Sequence, residues 1–186
     1  MVVQRFVRTL IAHDGGMSLH TLIIARHAKS AWPAGVPDHQ RPLNDRGRRD
    51  APVMGEWLAD NDLVPDYAFV SPATRTRSTW ELAATSLPVP VPVRVVESMY
   101  AATDGHLLDV VRSAREDWAS LVLVGHNPAS AELAELLAGP DSDQAAMAAM
   151  SVKFPTAALA VLTLPTAWAQ VEPGSGALLR FEVARG

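Results

Sequence analysis

Short apolar runs alternate with longer amphipathic ones along most of this chain, the pattern of a parallel or mostly parallel sheet whose strands are joined by helices. Leu22-Ile23-Ile24-Ala25 is brief, branched and closed by Arg26-His27, so it reads as a strand buried on both faces. Tyr67-Ala68-Phe69-Val70, Val93–Val96 and Leu121-Val122-Leu123-Val124 read as further strands. The spacing predicts a helix from near Asn44, a good cap, with Val53, Met54, Trp57 and Leu58 on its buried face. Pro52 falls inside that pattern and should kink or divide it. Further helices are expected over 74–85, over 105–116 with Leu107, Leu108, Val110 and Val111 inward, and over 129–138, stopped by Gly139-Pro140. Ala158–Leu164 and Leu178–Val183 alternate, with a Pro- and Gly-containing loop between them, and read as a hairpin.

Composition narrows the picture. At 186 residues and 48% apolar, the chain is long enough for one ordinary domain with a full core and too apolar for general disorder. A net charge of −4 argues against a nucleic-acid binder. The absence of cysteine excludes disulfides and thiolate metal sites. No apolar run approaches the roughly 20 residues that a membrane helix needs. Arg8 and Thr9 interrupt the first apolar stretch, which makes a poor signal-peptide core. Residues 1–17 therefore read as an N-terminal extension or a start-site artefact ahead of one domain over 18–186, in a cytoplasmic protein.

The chemistry lies at the strand ends. Arg26-His27 follows the first strand, Ser71-Pro72-Ala73-Thr74-Arg75 the second, and Gly125-His126-Asn127-Pro128 the one at 121–124. If these strands are parallel neighbours, all three segments meet at one carboxyl edge, where open α/β sheets place ligands. Two arginines and two histidines there would receive a tetrahedral dianion, because guanidinium supplies a fixed fork of donors and imidazole one more. Taken singly, each residue has a plainer reading. His27 is a structural histidine, Arg75 pairs with a carboxylate on a helix surface, and His126 caps the helix beginning near Pro128 or holds a metal. Arg77 falls on another helix face and reads as surface. Trp57 and Trp80 fit core faces, Trp32 lies in the loop beside the site, and Lys153-Phe154-Pro155-Thr156 is structural with its start near the pocket.

The ordered set resembles the histidine phosphatase superfamily, also known for its phosphoglycerate-mutase-like fold. Arg26-His27-Ala28-Lys29-Ser30, Arg41-Pro42-Leu43, Gly47, Ser71-Pro72 with Arg75, and Val124-Gly125-His126-Asn127-Pro128 are most similar to its small SixA-type phosphohistidine phosphatase branch. The resemblance spans roughly 19–164, with Ala28 standing where the family's triad has glycine. It implies a three-layer αβα sandwich with a mostly parallel central sheet. It also implies a phosphohydrolase in which His27 is the nucleophile, forming a phosphohistidine that water hydrolyses. By the same resemblance Arg26, Arg75 and His126 stabilise the phosphoryl oxygens, and Arg41 reaches the pocket from its loop. Asn127, Lys29 and Ser30 join as phosphate or substrate contacts, the last two equally well placed as rim residues.

No metal or other cofactor is implied. An ester leaving group would need an acid, for which Glu97 is preferred to Asp104, whereas phosphohistidine has less need of one. The expected partner is a phosphate-bearing substrate, above all a phosphohistidine protein domain, met by a monomer or weak dimer with no nucleic acid or membrane involved. A phosphatase of small sugar or nucleotide phosphates and a non-catalytic phosphate-binding module are the alternatives.

Overall fold

The computed structural model describes residues 19–186, so the stretch 1–17 read as an extension lies outside the described residues. Strands β1 (His20–Arg26), β2 (Tyr67–Val70), β3 (Val93–Val95), β4 (Ser120–Gly125), β5 (Ala158–Leu164) and β6 (Ala177–Val183) form one sheet in the order β3-β2-β4-β1-β5-β6. β3, β2, β4 and β1 run parallel, while β5 and β6 are antiparallel additions beside β1. Helices α1 (Asp45–Asp60) and α2 (Thr74–Ala84) cover one face. Helices α3 (Asp104–Arg112), α4 (Ala129–Leu137) and α5 (Gln144–Val152) cover the other. The three-layer sandwich and the β5–β6 pair match the sequence-based expectation.

The pattern of β1 and β4 follows from this layering. Leu22, Ile24, Leu121 and Leu123 enter the core under α3 and α4, and Ile23, Ala25, Val122 and Val124 enter the core under α1 and α2. Both faces are dry, so neither strand shows polar alternation. Each larger side chain contributes about 2 kcal/mol by burial. β3 is the contrasting edge, short and exposed at all three positions.

Three expectations about the helices need correction. α1 passes through Pro52 as one continuous helix, although an interior proline costs about 3 kcal/mol. Packing against α2 offsets that cost: a Cβ on Gly55 would lie 1.9 Å from the Ala83 carbonyl oxygen, so the two helices are in backbone contact. The buried face of α1 is Gly47, Asp50, Ala51, Met54, Gly55 and Leu58, with Val53 and Trp57 half-buried at its margin. α3 stops at Arg112 rather than near 116, where the Ser113 hydroxyl donates to the Val110 carbonyl. α5 was not anticipated. Its cap is Asp143, whose carboxylate accepts the Ala146 N–H at 2.8 Å. No helix among the described residues is long and apolar enough to cross a membrane.

Candidate active site

The parallel register assembles the site. Arg26 stands opposite Gly125 and Val70 opposite Val124. The ladder continues one step further, with His27 N–H donating to Gly125 O at 3.1 Å and Ser71 N–H to Val124 O at 3.0 Å. His27, His126 and the Ser71 turn therefore leave the sheet side by side, as the three segments require for a shared pocket. The rings of His27 and His126 are 5.2 Å apart between centroids.

His27 is 7% exposed, and its Nδ1 lies 2.7 Å from the Ala28 carbonyl. A carbonyl accepts, so Nδ1 carries the proton and the Nε2 lone pair faces the pocket in the neutral ring. Burial pushes the His27 pKa down to about 3, with His126, Arg75 and Arg26 adding to the effect against the Ala28 hydrogen bond. The loop is pinned from below: Ala28 N–H donates to Thr79 Oγ1 at 2.9 Å, and that hydroxyl donates to the Arg75 carbonyl at 2.6 Å. On the far side Ala157, at φ 61, donates its N–H to the His27 carbonyl at 3.1 Å. A non-glycine residue in that left-handed conformation stores about 1 kcal/mol of strain.

His126 is likewise neutral, lowered to about 4 by burial and then Arg75, with Asp38 opposing. Its Nε2 shares a hydrogen bond of 2.8 Å with the Ser71 hydroxyl, and its Nδ1 is buried without a partner among the described residues. Its role toward α4 is confined to the backbone, where its carbonyl accepts the Ser130 N–H.

The cations are held by main-chain oxygens and by one carboxylate. Arg26 Nη1 donates to the Phe154 carbonyl at 2.7 Å, and Asn127 Nδ2 donates to the same oxygen at 3.0 Å. Arg26 Nε and Asn127 Oδ1 are buried without partners among the described residues. Arg75 is buried, its Nη1 donating to the Asp38 carbonyl at 2.6 Å and its Nη2 to Asp38 Oδ2 at 2.9 Å. Arg41 is buried too, and donates to Asp38 Oδ1 at 2.8 Å, to Ser30 Oγ at 2.7 Å and to the Ala31 carbonyl at 3.0 Å. Its guanidinium stacks 3.0 Å from the ring centroid of Trp32, which is otherwise exposed.

The remaining sequence candidates have varied surroundings. Ser30 accepts from Arg41, and Lys29 acts through its carbonyl, which accepts the Asn44 N–H at 3.0 Å. A Cβ on Gly47 would lie 2.1 Å from that Lys29 oxygen, so the start of α1 rests directly on the loop that follows His27. Glu97 follows β3 at the same sheet edge, where Val96 N–H donates to the Val70 carbonyl, and its side chain is exposed. Asp104 is the first residue of α3 and half-buried. Arg77 is exposed and Trp80 is buried.

Sequence reasoning missed Asp38 and Tyr100. Tyr100 donates its hydroxyl to Asp38 Oδ2 at 2.9 Å and sets its ring edge-on to His126 at 5.8 Å and to His39 at 4.8 Å. Asp38 lies in a loop of prolines and glycines with no motif around it, so no local signal marked it.

Comparison with known proteins agrees with this geometry. Residues 22–132 match the model of the histidine phosphatase superfamily (branch 1). An uncharacterised protein of Mycobacterium tuberculosis is 42% identical over 161 residues, 86% of this chain and 99% of that one. Among solved structures, a protein described as the phosphohistidine phosphatase SixA of Nakamurella multipartitia superposes with a TM-score of 0.79 at 26% identity, over 89% of this chain and 96% of its own. A SixA described in the same terms from Agrobacterium tumefaciens gives 0.73 at 29% identity, over 88% and 98%. With a family model matched over more than half its length, the chain belongs to the histidine phosphatase superfamily, branch 1.

Proposed function

We propose that this phosphohydrolase removes the phosphoryl group from phosphohistidine on a protein. The observation that carries the reading is the His27 ring, neutral and buried, with Nδ1 committed to the Ala28 carbonyl and Nε2 left for reaction beside His126, Arg26 and Arg75. Nε2 attacks phosphorus in line and the bond to the leaving nitrogen breaks. Water then cleaves the new P–N bond on His27, giving orthophosphate and restoring the neutral ring. Arg26 and Arg75 offer donors to the non-bridging oxygens as charge shifts among them, and His126 adds its Nε2–H as that proton turns from the Ser71 hydroxyl to the phosphoryl group. Arg41, Asn127, Lys29 and Ser30 line the approach.

The carboxylates around the site support this substrate class. Asp38 is held well below the usual carboxylate range, chiefly by Arg41, so it carries no proton to give. Glu97 is exposed at the sheet edge. An alkoxide would leave poorly without an acid, whereas an imidazole of a phosphohistidine is a stable leaving group. The solved SixA structures named above point the same way.

The small-ester alternative is kept because Glu97 emerges at the correct sheet edge. A phosphohistidine-bearing protein and a panel of sugar and nucleotide monophosphates, assayed with wild type and Glu97→Gln, separate the two. The proposal expects the phosphohistidine protein to be the preferred substrate by kcat/KM, with less than about a threefold loss in Glu97→Gln. A strong preference for an ester, lost about 100-fold or more in Glu97→Gln, would replace it with the ester reading.

A further inference from the structure

We infer that Asp38 is a specificity-determining residue, an internal anion that occupies the arginine fork of the pocket and that an incoming phosphoryl group must displace. The inference rests on the phosphate-pocket reading above. Both terminal nitrogens of Arg75 are directed at Asp38, one at its carbonyl and one at its carboxylate, at 2.6 and 2.9 Å. The other carboxylate oxygen takes Arg41 Nη1 at 2.8 Å, and Tyr100 adds its hydroxyl at 2.9 Å. Three donors from three separate segments thus converge on one carboxylate, the arrangement that a planar or tetrahedral oxyanion would also use.

The asymmetry of burial gives the contact its meaning. The side chains of Arg41 and Arg75 are 7% and 8% exposed, whereas that of Asp38 is 49% exposed. The cations belong to the cage, and the anion reaches in from the mouth on the short turn Asp38–Gln40. Elsewhere in this chain a carboxylate–arginine cluster has the reverse asymmetry: Asp50 is fully enclosed, and its partners Arg46 and Arg185 are 45% and 41% exposed.

Asp38 takes one N–H from each end of the Arg75 fork, so a phosphoryl group that grips the same two ends meets it in place. The ligand therefore competes with a monoanion already in place at high effective concentration. A dianionic phosphoryl group, with more charge and more acceptor oxygens, displaces it. A carboxylate or another monoanion gains nothing over Asp38 and is turned away. The filter works by charge difference, which is how one site discriminates between ligands of similar shape.

Orthophosphate is the probe, with binding measured by titration calorimetry and KM measured on the phosphorylated substrate. Removing the competitor in Asp38→Asn tightens orthophosphate binding about tenfold and lowers KM in step. Acetate, which has the charge and shape of the Asp38 side chain, then inhibits this variant at concentrations that leave wild type unaffected. Tyr100→Phe, which loosens the carboxylate without removing it, tightens orthophosphate in the same direction by a smaller factor. Unchanged or weaker orthophosphate binding in both variants, or acetate inhibition no stronger than in wild type, would overturn the inference and leave Asp38 as a support for Arg75. Failure of wild type and both variants to bind orthophosphate or to hydrolyse any phosphorylated substrate would instead remove the phosphate-pocket reading itself.

Discussion

β1 carries a buried histidine at each end, and the two have opposite fates. His20 opens the strand, 2% exposed, with Nδ1 at 2.9 Å from the Thr166 carbonyl, Nε2 at 3.3 Å from Glu116 and its ring against Trp168. His27 follows the strand, 7% exposed, with one nitrogen on a carbonyl and the other unpartnered among the described residues. The first ring has a carboxylate for a neighbour and the second has two arginines and another imidazole. Burial is common to both and so decides nothing. A nucleophile differs in having one nitrogen left over, in surroundings that resist its protonation.

This contrast can be broken from either side. The largest effect is expected for His27→Ala, which should lower turnover by about 1,000-fold or more with unfolding close to wild type. Measurable activity within tenfold of wild type would end the covalent mechanism. His20→Ala should do the reverse. It loses the Thr166 hydrogen bond and the Trp168 contact and leaves Glu116 without its imidazole, at a cost of about 2 kcal/mol in urea unfolding, while kcat/KM of the folded enzyme stays at the wild-type value. Lost catalysis at wild-type stability would show that the two ends had been misassigned.

The most gradual effect is one of pH. With the pKa values of His27 at about 3 and His126 at about 4, the folded protein takes up fewer protons than the unfolded chain between roughly pH 6.5 and 4. Stability from these groups is complete above pH 6.5 and falls as the pH drops through that window. Imidazole NMR titration should find both rings neutral at pH 5. A midpoint near 6.5 for His27 would remove the electrostatic half of the contrast.

The sequence was legible where chemistry and strand ends coincide. Arg26, His27, Arg75 and His126 sit in or beside short runs whose direction the apolar pattern reveals, so their convergence needed only parallel pairing. Contacts made by the backbone left no trace: the Phe154 carbonyl that holds both Arg26 and Asn127 could have belonged to any residue type. Asp38 meets Arg75 and Tyr100 from a loop far from both in sequence, and nothing in its neighbours announces that meeting. Division of the helix at Pro52, which local propensity favours, does not occur beside the close α1–α2 contact at Gly55. α5 did carry a signal, the Asp143 cap before an alanine- and methionine-rich run, overlooked beside the stronger break at Gly139-Pro140.

β1 is paired on both sides, and the backbone of His27 is tied beyond it to Gly125 and Ala157. Hydrogen exchange should therefore divide the pocket into two clocks. Amides of β1 and His27 wait for opening of the whole sheet, whereas those of the turn at Asp38–Gln40 exchange by local excursions. The mouth opens without the sheet opening, so turnover and unfolding are insulated from each other in time.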